Sequence, residues 1–309
     1  QDCKKGGLCP LYFKRNFDLE RIVMSQVTSA LVKDLRERTG LGMMECKRAL
    51  VAAGGDIDKA IEELRKSSGM KAAKKAGRTA ADGLVALKVE NDFGVIVEIN
   101  SETDFVARDE GFQGFVKSVV DAAYVSRETD MATLMAGELE SSREALVQKI
   151  GENISPRRVS SIQEEVVGGY VHSNNRIAVI VGLSGGSEDL AKDVAMHIAA
   201  VNPAVISSDQ MPADVVAAEK EIYAAQARES GKPEEIIEKM IVGRVNKFLK
   251  ESSLVDQPFV KDPDTTVGKL LKAAGAEITS FVRFEVGEGI EVEEVDFAAE
   301  VAAQVKDAS

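Results

Sequence analysis

The sequence predicts an α+β fold that begins with a three-helix bundle and continues as two related hairpin–helix subdomains, with an antiparallel helical hairpin inserted and a helix at the C-terminal end. Three observations predict this class. Apolar residues recur at helical spacing between glycines in the first part of the 309-residue chain. A strand–turn–strand–helix pattern then occurs twice, and two long amphipathic stretches follow its second copy.

The bundle is predicted over residues 24–69. "VTSALVKDLRERTG" has helical apolar spacing and ends at Gly40, a residue suited to a helix C-cap. "MMECKRALVAAGG" gives a second helix, and a third begins at Asp56 as N-cap and stops at Gly69. The segment "MKAAKKAGRTAADG" that follows is predicted to be a mobile linker, over residues 70–81.

The two subdomains are predicted from an internal repeat. Asp82–Ser101 and Gly168–Gly186 both contain two β-rich runs around a turn, and "FVKSVVDAA" aligns with "LAKDVAMHIAA" as the helix after each hairpin. The first subdomain is predicted at residues 82–163, including a helical piece "ESSREALVQKIGEN". The second is predicted at residues 164–211 and 251–290, completed by the strand "EITSFVRFEV".

Two amphipathic helices joined at Gly231–Pro233 predict an antiparallel hairpin over residues 212–250. The prediction places apolar residues of the first helix against apolar residues of the second: Val215, Ala218, Ile222 and Ala225 against Ile236, Met240 and Phe248. "VDFAAEVAAQVKD" then predicts an amphipathic helix over residues 291–309.

The N-terminal stretch is predicted to lie outside the functional unit. "QDCKKGGLCPLYFKRNFDLERIV" has no long apolar core of a secretory signal and no clear periodicity, so residues 1–23 are expected to be an extension that is disordered or non-native. Cys3, Cys9 and Cys46 are odd in number and lie in unlike segments, which favours a reducing cytoplasm.

The formal charge of −12 disfavours general binding to nucleic acid or to an anionic membrane, because both need a basic surface. The negative net charge has one local exception, a basic cluster formed by Lys71, Lys74, Lys75 and Arg78. We interpret this cluster as the solvent-exposed face of a helix and not as a phosphate-binding site.

Several common enzyme motifs are missing from the sequence. It has no phosphate-binding loop, no G-x-G-x-x-G at a strand–helix junction, and no C-x-x-C or H-E-x-x-H. His197 lies on an Ala-rich helix, which favours a structural or surface role, whereas His172 lies beside a hairpin turn, where a contact role and a passive one are equally consistent. We therefore predict no catalytic residue, no metal ligand and no cofactor.

Long collinear stretches carry a family resemblance. "LRERTGLGMMECKRAL", "INSETDFVARDEGF", "KIGENI", "AMHIAA", "SGKP" and "FVRFEVGEGIE" together resemble bacterial elongation factor Ts. The resemblance runs from Met24 to the last residue and does not include residues 1–23, which makes Met24 the expected native start.

The resemblance implies a guanine-nucleotide exchange factor that acts on elongation factor Tu by contact. It also implies that the bundle is similar to a ubiquitin-associated domain and docks on Tu, and that the helical hairpin is a protruding coiled coil able to self-associate. The implied contacts of the bundle are Arg36, Met43 and Met44, with His172 in the second subdomain. Because adjacent helix residues cannot both face one core, the sequence by itself predicts that one of the two methionines is exposed.

Phe105 has two consistent interpretations. On one continuous helix it shares a face with Phe112, seven residues on, and would belong to this protein's core. Gly111 and the preceding acidic pair equally allow a short first turn with Phe105 at its tip. The resemblance favours the tip, since Thr103, Asp104, Phe105 and Val106 match the element that intrudes beside the magnesium site of Tu.

Two other classes remain open at this point. One is an adaptor that binds a partner without altering its nucleotide, and the other is a hydrolase that uses surface carboxylates. Each is distinguished from an exchange factor by whether GDP leaves Tu faster when the chain is present.

Overall fold

A computed structural model describes residues 27–229 and 233–291. These residues divide into a helical unit, residues 27–79 and 137–154, and an α+β unit formed by the rest. The fold is mixed helix and sheet with an N-terminal helical region, as the sequence predicts. The predicted extension, the turn of the helical hairpin and the predicted C-terminal helix beyond Glu291 lie outside the described residues.

Four helices form the helical unit: α1 Ser29–Thr39, α2 Met43–Ala52, α3 Ile57–Lys75 and α7 Glu138–Ile150. The first three pack around a small apolar core, which contains Val32, Leu35, Leu41, Cys46, Leu50, Ala60 and Leu64. Gly40 ends α1 with a left-handed φ of 68°, and the Asp56 side chain caps α3 by accepting a hydrogen bond from the Lys59 N–H. The predicted start and stop signals are therefore confirmed, except at the end of α3.

The prediction that the third helix stops at Gly69 is wrong. Helix α3 continues to Lys75, through the first half of the predicted linker, residues 70–81. Ser68 before the glycine and Ala72 after it are both buried, and a Cβ at position 69 would lie 2.8 Å from the Glu144 carboxylate of α7. Packing against α7 supplies the burial that offsets the helix propensity lost at a glycine.

The structure also places α7 differently from the prediction. The sequence assigns this helix to the first α+β subdomain, because it lies between strands of that region. In the structure α7 packs on α3 within the helical unit. Asn153 reinforces this placement by donating a hydrogen bond to the Arg78 carbonyl at 2.9 Å.

The α+β unit contains eight strands and seven helices in the part of the chain that is described. The strands are β1 Asp82–Glu90, β2 Phe93–Ser101, β3 Ile154–Gln163, β4 Val166–Val171, β5 Ile177–Ser184, β6 Pro258–Phe259, β7 Asp262–Thr266 and β8 Glu277–Glu285, of which β3 begins at the last residue of the helical unit. The helices are α4 Asp104–Ala107, α5 Glu110–Ser126, α6 Met131–Met135, α8 Glu188–Val201, α9 Ala213–Arg228, α10 Glu234–Ser252 and α11 Val267–Ala273. Two short 3-10 turns lie at Ser208–Gln210 and Leu254–Asp256.

Four layers make up the centre of this unit. Helix α5 packs on sheet β1-β2-β3, this sheet packs on sheet β4-β5-β8, and α8 covers the far side of the second sheet. The strand predicted to complete a sheet is β8, which pairs antiparallel with β5. Apolar residues fill the space between the sheets, among them Val85, Ile96, Val167, Ala178, Ile180 and Phe284.

Both predicted hairpins are present. Strands β1 and β2 pair antiparallel with Glu90 opposite Phe93, so the turn is the pair of residues between them, and Asn91 has a positive φ of 56°. Strands β4 and β5 pair with Val171 opposite Ala178. Each hairpin is followed along the chain by a helix that covers it, α5 and α8 respectively.

The helical hairpin has a different contact face from the predicted one. Ala227 on α9 and Ile237 and Ile241 on α10 are buried, with Ala224, Met240 and Val245 packed against them. Val215, Ile222 and Ile236, which were predicted to face inward, are exposed. The small side chains of Ala224 and Ala227 allow α10 to lie close, and the period of the apolar residues alone does not distinguish this face from the neighbouring one.

Among the helices of residues 27–229 and 233–291, none is both long enough and apolar enough to span a membrane.

Candidate partner-binding site

Phe105 lies on the four-residue helix α4, between the end of β2 and the start of α5. Its side chain is 76% exposed, although it is large and apolar. Its neighbours Val106 and Ala107 are buried. A ring that is held on a short helix and faces solvent is suited to binding a partner.

Backbone and side-chain hydrogen bonds fix α4 in place. The Ser101 hydroxyl donates to the Thr103 carbonyl at 3.0 Å, and the Gln113 amide donates to the Ala107 carbonyl at 3.2 Å. Asp109 then starts a new helix by accepting a hydrogen bond from the Phe112 N–H at 3.0 Å. The two ends of α4 are therefore tied to β2 and to α5, and Phe105 is presented on a defined turn.

Asp104 adds a carboxylate beside the exposed ring. It pairs with Arg108 one turn further on, with Arg108 Nη2 2.9 Å from Asp104 Oδ2. Both side chains are largely exposed, so the pair contributes little to stability and leaves the carboxylate available.

A buried charged cluster lies on β2, the strand that precedes α4. Glu98, near the end of β2, has no exposed surface and accepts hydrogen bonds from Arg157 at 3.1 Å and from Arg158. The N–H of Gly287 and the side-chain amide of Asn100 also donate to Glu98, at 2.8 and 3.0 Å. These four donors compensate the buried carboxylate and tie the end of β2 to residues on β3 and after β8, because a buried charge without partners is costly. No sequence signal identifies this cluster, since its members are far apart along the chain.

The predicted contacts of the helical unit are all on its surface. Arg36 is exposed on α1, and Met43 and Met44 open α2 with 59% and 65% of their surfaces exposed. The prediction that one of the two methionines is exposed is confirmed, and the second is exposed as well. The core-facing residues of α2 are Cys46 and Leu50, and both methionines precede that face in the first turn of the helix.

His172 is exposed at the β4–β5 turn. Its ring Nδ1 lies 3.1 Å from the Tyr170 hydroxyl, and its backbone N–H donates to the Ile177 carbonyl at 2.9 Å. The backbone of the turn is therefore tied to β5, and the contact with Tyr170 orients the ring. His172 and Thr103–Val106 belong to the α+β unit, whereas Arg36, Met43 and Met44 belong to the helical unit.

His197 has the structural role that its helix predicts. It is fully buried, its Nδ1 accepts a hydrogen bond from the Val260 N–H at 3.2 Å, and its Nε2 lies 2.9 Å from Gln257 Oε1. An acceptor at Nδ1 requires the neutral form with its proton on Nε2. Burial lowers the pKa of His197, although the bond with Gln257 acts in the opposite direction.

The basic cluster is used within the protein. Lys71 binds the Glu45 carboxylate, and Lys75 donates a hydrogen bond to the Gly151 carbonyl. Two of its four cations are therefore engaged by neighbouring helices, which agrees with the preference for a helix face over a phosphate site.

The described residues contain no group of three or more His, Cys, Asp or Glu side chains placed to hold a metal ion. What they do present is a rigidly mounted aromatic ring, a pair of exposed methionines and an exposed histidine. These are features of a protein that acts by contact with a protein partner.

Comparison with known proteins identifies the family. The family model described as Elongation factor TS matches residues 102–288. The chain is 70% identical over 284 residues to elongation factor Ts of Cellvibrio japonicus, covering 91% of this chain and 98% of the relative. It is 65% identical to that of Hahella chejuensis, covering 92% and 100%, and 58% identical to that of Stutzerimonas stutzeri, covering 91% and 98%. The chain belongs to the elongation factor Ts family of translation elongation factors, which act as nucleotide exchange factors in protein biosynthesis.

Proposed function

We propose that this chain binds elongation factor Tu in its GDP-bound form and promotes GDP release by placing α4 beside the magnesium and nucleotide site, so that GTP can bind. The observation that carries the proposal is the exposure of Phe105 on a helix whose other apolar residues are buried. An exposed ring on a fixed turn lowers the entropic cost of inserting it into a partner.

The action is thermodynamic and needs no covalent chemistry. If the chain binds nucleotide-free Tu more tightly than Tu–GDP, GDP must weaken the binding of the chain by the same factor. Burying one Phe side chain supplies about 1.5–3 kcal/mol, or roughly one to two decades in an equilibrium constant. Phe105 alone is therefore too small a contribution for a large acceleration, and other contacts must hold Tu.

Those other contacts are Arg36, Met43 and Met44 in the helical unit and His172 at the β4–β5 turn. All four are exposed, and the methionines are adaptable apolar contact residues. Asp104 places negative charge beside Phe105, close to where α4 would meet the magnesium site. Thr103 and Val106 shape the turn, since Thr103 precedes the helix and Val106 is buried beneath it.

The finer organisation is part of the same proposal. The two hairpin–helix motifs are proposed to be copies of one subdomain, the three-helix bundle to be similar to a ubiquitin-associated domain, and the hairpin of α9 and α10 to be a coiled coil capable of self-association. We further propose that the chain works in the cytoplasm and makes no direct contact with nucleic acid or a membrane.

The test is the release of fluorescently labelled GDP from elongation factor Tu with and without the chain. We expect faster release that increases with the concentration of the chain and saturates. Binding of the chain without faster release would support the adaptor, and chemical conversion of the nucleotide would support the hydrolase.

A further inference from the structure

Helix α7 contacts the turn between α1 and α2, although more than a hundred residues separate them along the chain. Gln148 Nε2 donates a hydrogen bond to Glu45 Oε1 at 2.8 Å. The neighbouring Lys149 lies against Gly40, where an added Cβ would be 3.3 Å from Lys149 Cε. The last turn of α7 therefore touches both sides of the turn that leads to Met43 and Met44.

Glu45 is the point at which three helices meet. It lies on α2 directly after Met44, and the same oxygen that accepts from Gln148 of α7 also binds Lys71 of α3. Burial of Glu45 opposes its ionisation, but the hydrogen bonds from Lys71 and Gln148 outweigh burial and lower the pKa of its carboxyl group. Glu45 is therefore a carboxylate at neutral pH, and it accepts hydrogen bonds from both Lys71 and Gln148.

The first turn of α2 has no side-chain cap of its own. The residue before it is Gly42, which offers no side-chain acceptor to the free N–H groups of the turn. Glu45 is the acidic residue of this turn, where negative charge is favourable. Its bonds to α3 and α7 thus add to the core contacts of Leu41 and Cys46, which also hold this turn.

Helix α7 is itself held at the same end. Lys75, the last residue of α3, donates a hydrogen bond to the Gly151 carbonyl just after α7. Asn153 donates to the Arg78 carbonyl beyond the end of α3. The contacts therefore close a ring from α2 to α3 to α7 and back to α2.

We propose that Glu45, Lys71 and Gln148 are positioning residues that hold the first turn of α2 so that Met43 and Met44 are presented to elongation factor Tu in one arrangement. The proposal rests on the proposed function. Two exposed, flexible methionines lose conformational freedom when they bind, and a turn that is already fixed loses less. Helix α7 thereby supports the docking surface through Gln148, and the residues that contact Tu lie on α2.

The test uses the full chain with four variants in the labelled GDP assay: Glu45→Gln, Gln148→Ala, a double methionine variant that carries Met43→Ser and Met44→Ser, and, as a matched control, Glu37→Gln. Glu37 is an exposed carboxylate on α1 that pairs with Lys33 within its own helix, so its loss removes the same charge without releasing α2. We expect Glu45→Gln and Gln148→Ala to raise the half-saturating concentration of the chain roughly three- to tenfold. The release rate at saturation and the control should be unchanged.

Two further measurements separate positioning from a general structural role. Hydrogen exchange of the amides at positions 43–47 should be faster in Glu45→Gln and Gln148→Ala and unchanged in the control. In the background of the double methionine variant, Glu45→Gln should have little additional effect, because it acts through the methionines. Gln148 lies on the outer helix and is only half-buried, so its substitution answers the question even if Glu45→Gln unfolds.

The contradicting outcomes are distinct. If the double methionine variant weakens binding and neither Glu45→Gln nor Gln148→Ala does, the positioning role is wrong and the methionine contact stands. Full additivity of Glu45→Gln with the double methionine variant also overturns positioning. If the double methionine variant has no effect while the unmodified chain accelerates release, both the methionine contact and this inference are wrong, and the exchange function survives.

Discussion

The two hairpin–helix motifs differ most where strand passes to helix. In the second motif the chain leaves β5 at Ser184 and enters α8 at Glu188 through a short glycine turn. In the first motif the corresponding connection, residues 102–109, contains the additional helix α4 and the exposed Phe105. The framework is therefore shared, and the candidate contact lies in what is added to one copy. Function on a common framework commonly resides in such connections.

The covering helices differ as well. Helix α5 buries large side chains, including Phe112 and Phe115, whereas α8 buries mainly alanine and valine with His197 among them. A Cβ at Gly168 of β4 would lie 2.5 Å from the Cβ of Ala191, so α8 lies close to its sheet. The packing of α5 on its sheet therefore relies on large apolar side chains. The packing of α8 relies on small side chains that let the helix lie close to its sheet, with the neutral His197 among them.

The largest expected effect contrasts the two aromatic residues of the first motif. Phe112→Ala should lower the free energy of unfolding by about 3–5 kcal/mol, because it removes a fully buried ring. Phe105→Ala should change it by less than about 0.5 kcal/mol, because its ring is in solvent. Urea unfolding of both variants measures the difference, and a severe loss for Phe105→Ala would return that residue to the core.

The next effect concerns exchange and tests whether the added helix is the active part of the first motif. Phe105→Ala should slow the GDP release promoted by a subsaturating amount of the chain by roughly 10- to 100-fold, through loss of one buried apolar contact. Val125→Ala is a suitable control, since Val125 is also exposed and lies on α5 of the same motif. Equal rates for Phe105→Ala and the unmodified chain would contradict the proposed insertion.

A smaller effect tests the second motif through pH. Because burial holds the pKa of folded His197 below its usual 6.5, the unfolded chain takes up the proton first as the pH falls. This contribution to stability is complete above about pH 6.5 and decreases below it, by at most about 1.4 kcal/mol per pH unit. We expect His197→Gln to show a shallower decline than the unmodified chain in unfolding measurements between pH 7 and 5. Parallel declines would mean that His197 is not the responsible group.

The smallest effect concerns the charge beside Phe105. Asp104→Asn should leave stability within about 0.5 kcal/mol, because its pair with Arg108 is exposed. Promoted GDP release should slow roughly two- to fivefold. Combining it with Phe105→Ala should cost less than the sum of the separate losses if both act as one element, and strict additivity would assign them independent roles.

Much of the architecture follows from local sequence. The β-rich runs around a turn predict both hairpins, and "FVKSVVDAA" predicts the helix α5 that follows the first of them. Gly40 and Asp56 mark helix ends because their effects are confined to a few neighbouring atoms. Such features are set by backbone conformation and side-chain period, which the sequence states directly.

Other features depend on contacts between distant segments. Gly69 does not end α3 because α7 packs beside it, and α7 arrives from a region that the sequence places elsewhere. Glu45 and Glu98 also have partners far away along the chain: Gln148 is 103 residues from Glu45, and Arg157 is 59 residues from Glu98. The prediction of which face of α9 points inward was also wrong, since two neighbouring faces of this helix have similar apolar content.

Phe105 shows the division between the two sources of information. The sequence determined that a bulky ring stands between a strand and a helix, and it left the core and the surface equally open. The tertiary structure decided between them: Asp109 interrupts the helix with an extended backbone and caps a new one, so that Phe105 and Phe112 do not share a continuous helical face. Phe112 then packs into the core. On α4, Val106 and Ala107 are the residues that are buried, so Phe105 faces solvent. Which side of a four-residue helix is buried depends on what surrounds it, because one turn is too short for its own period to fix a face.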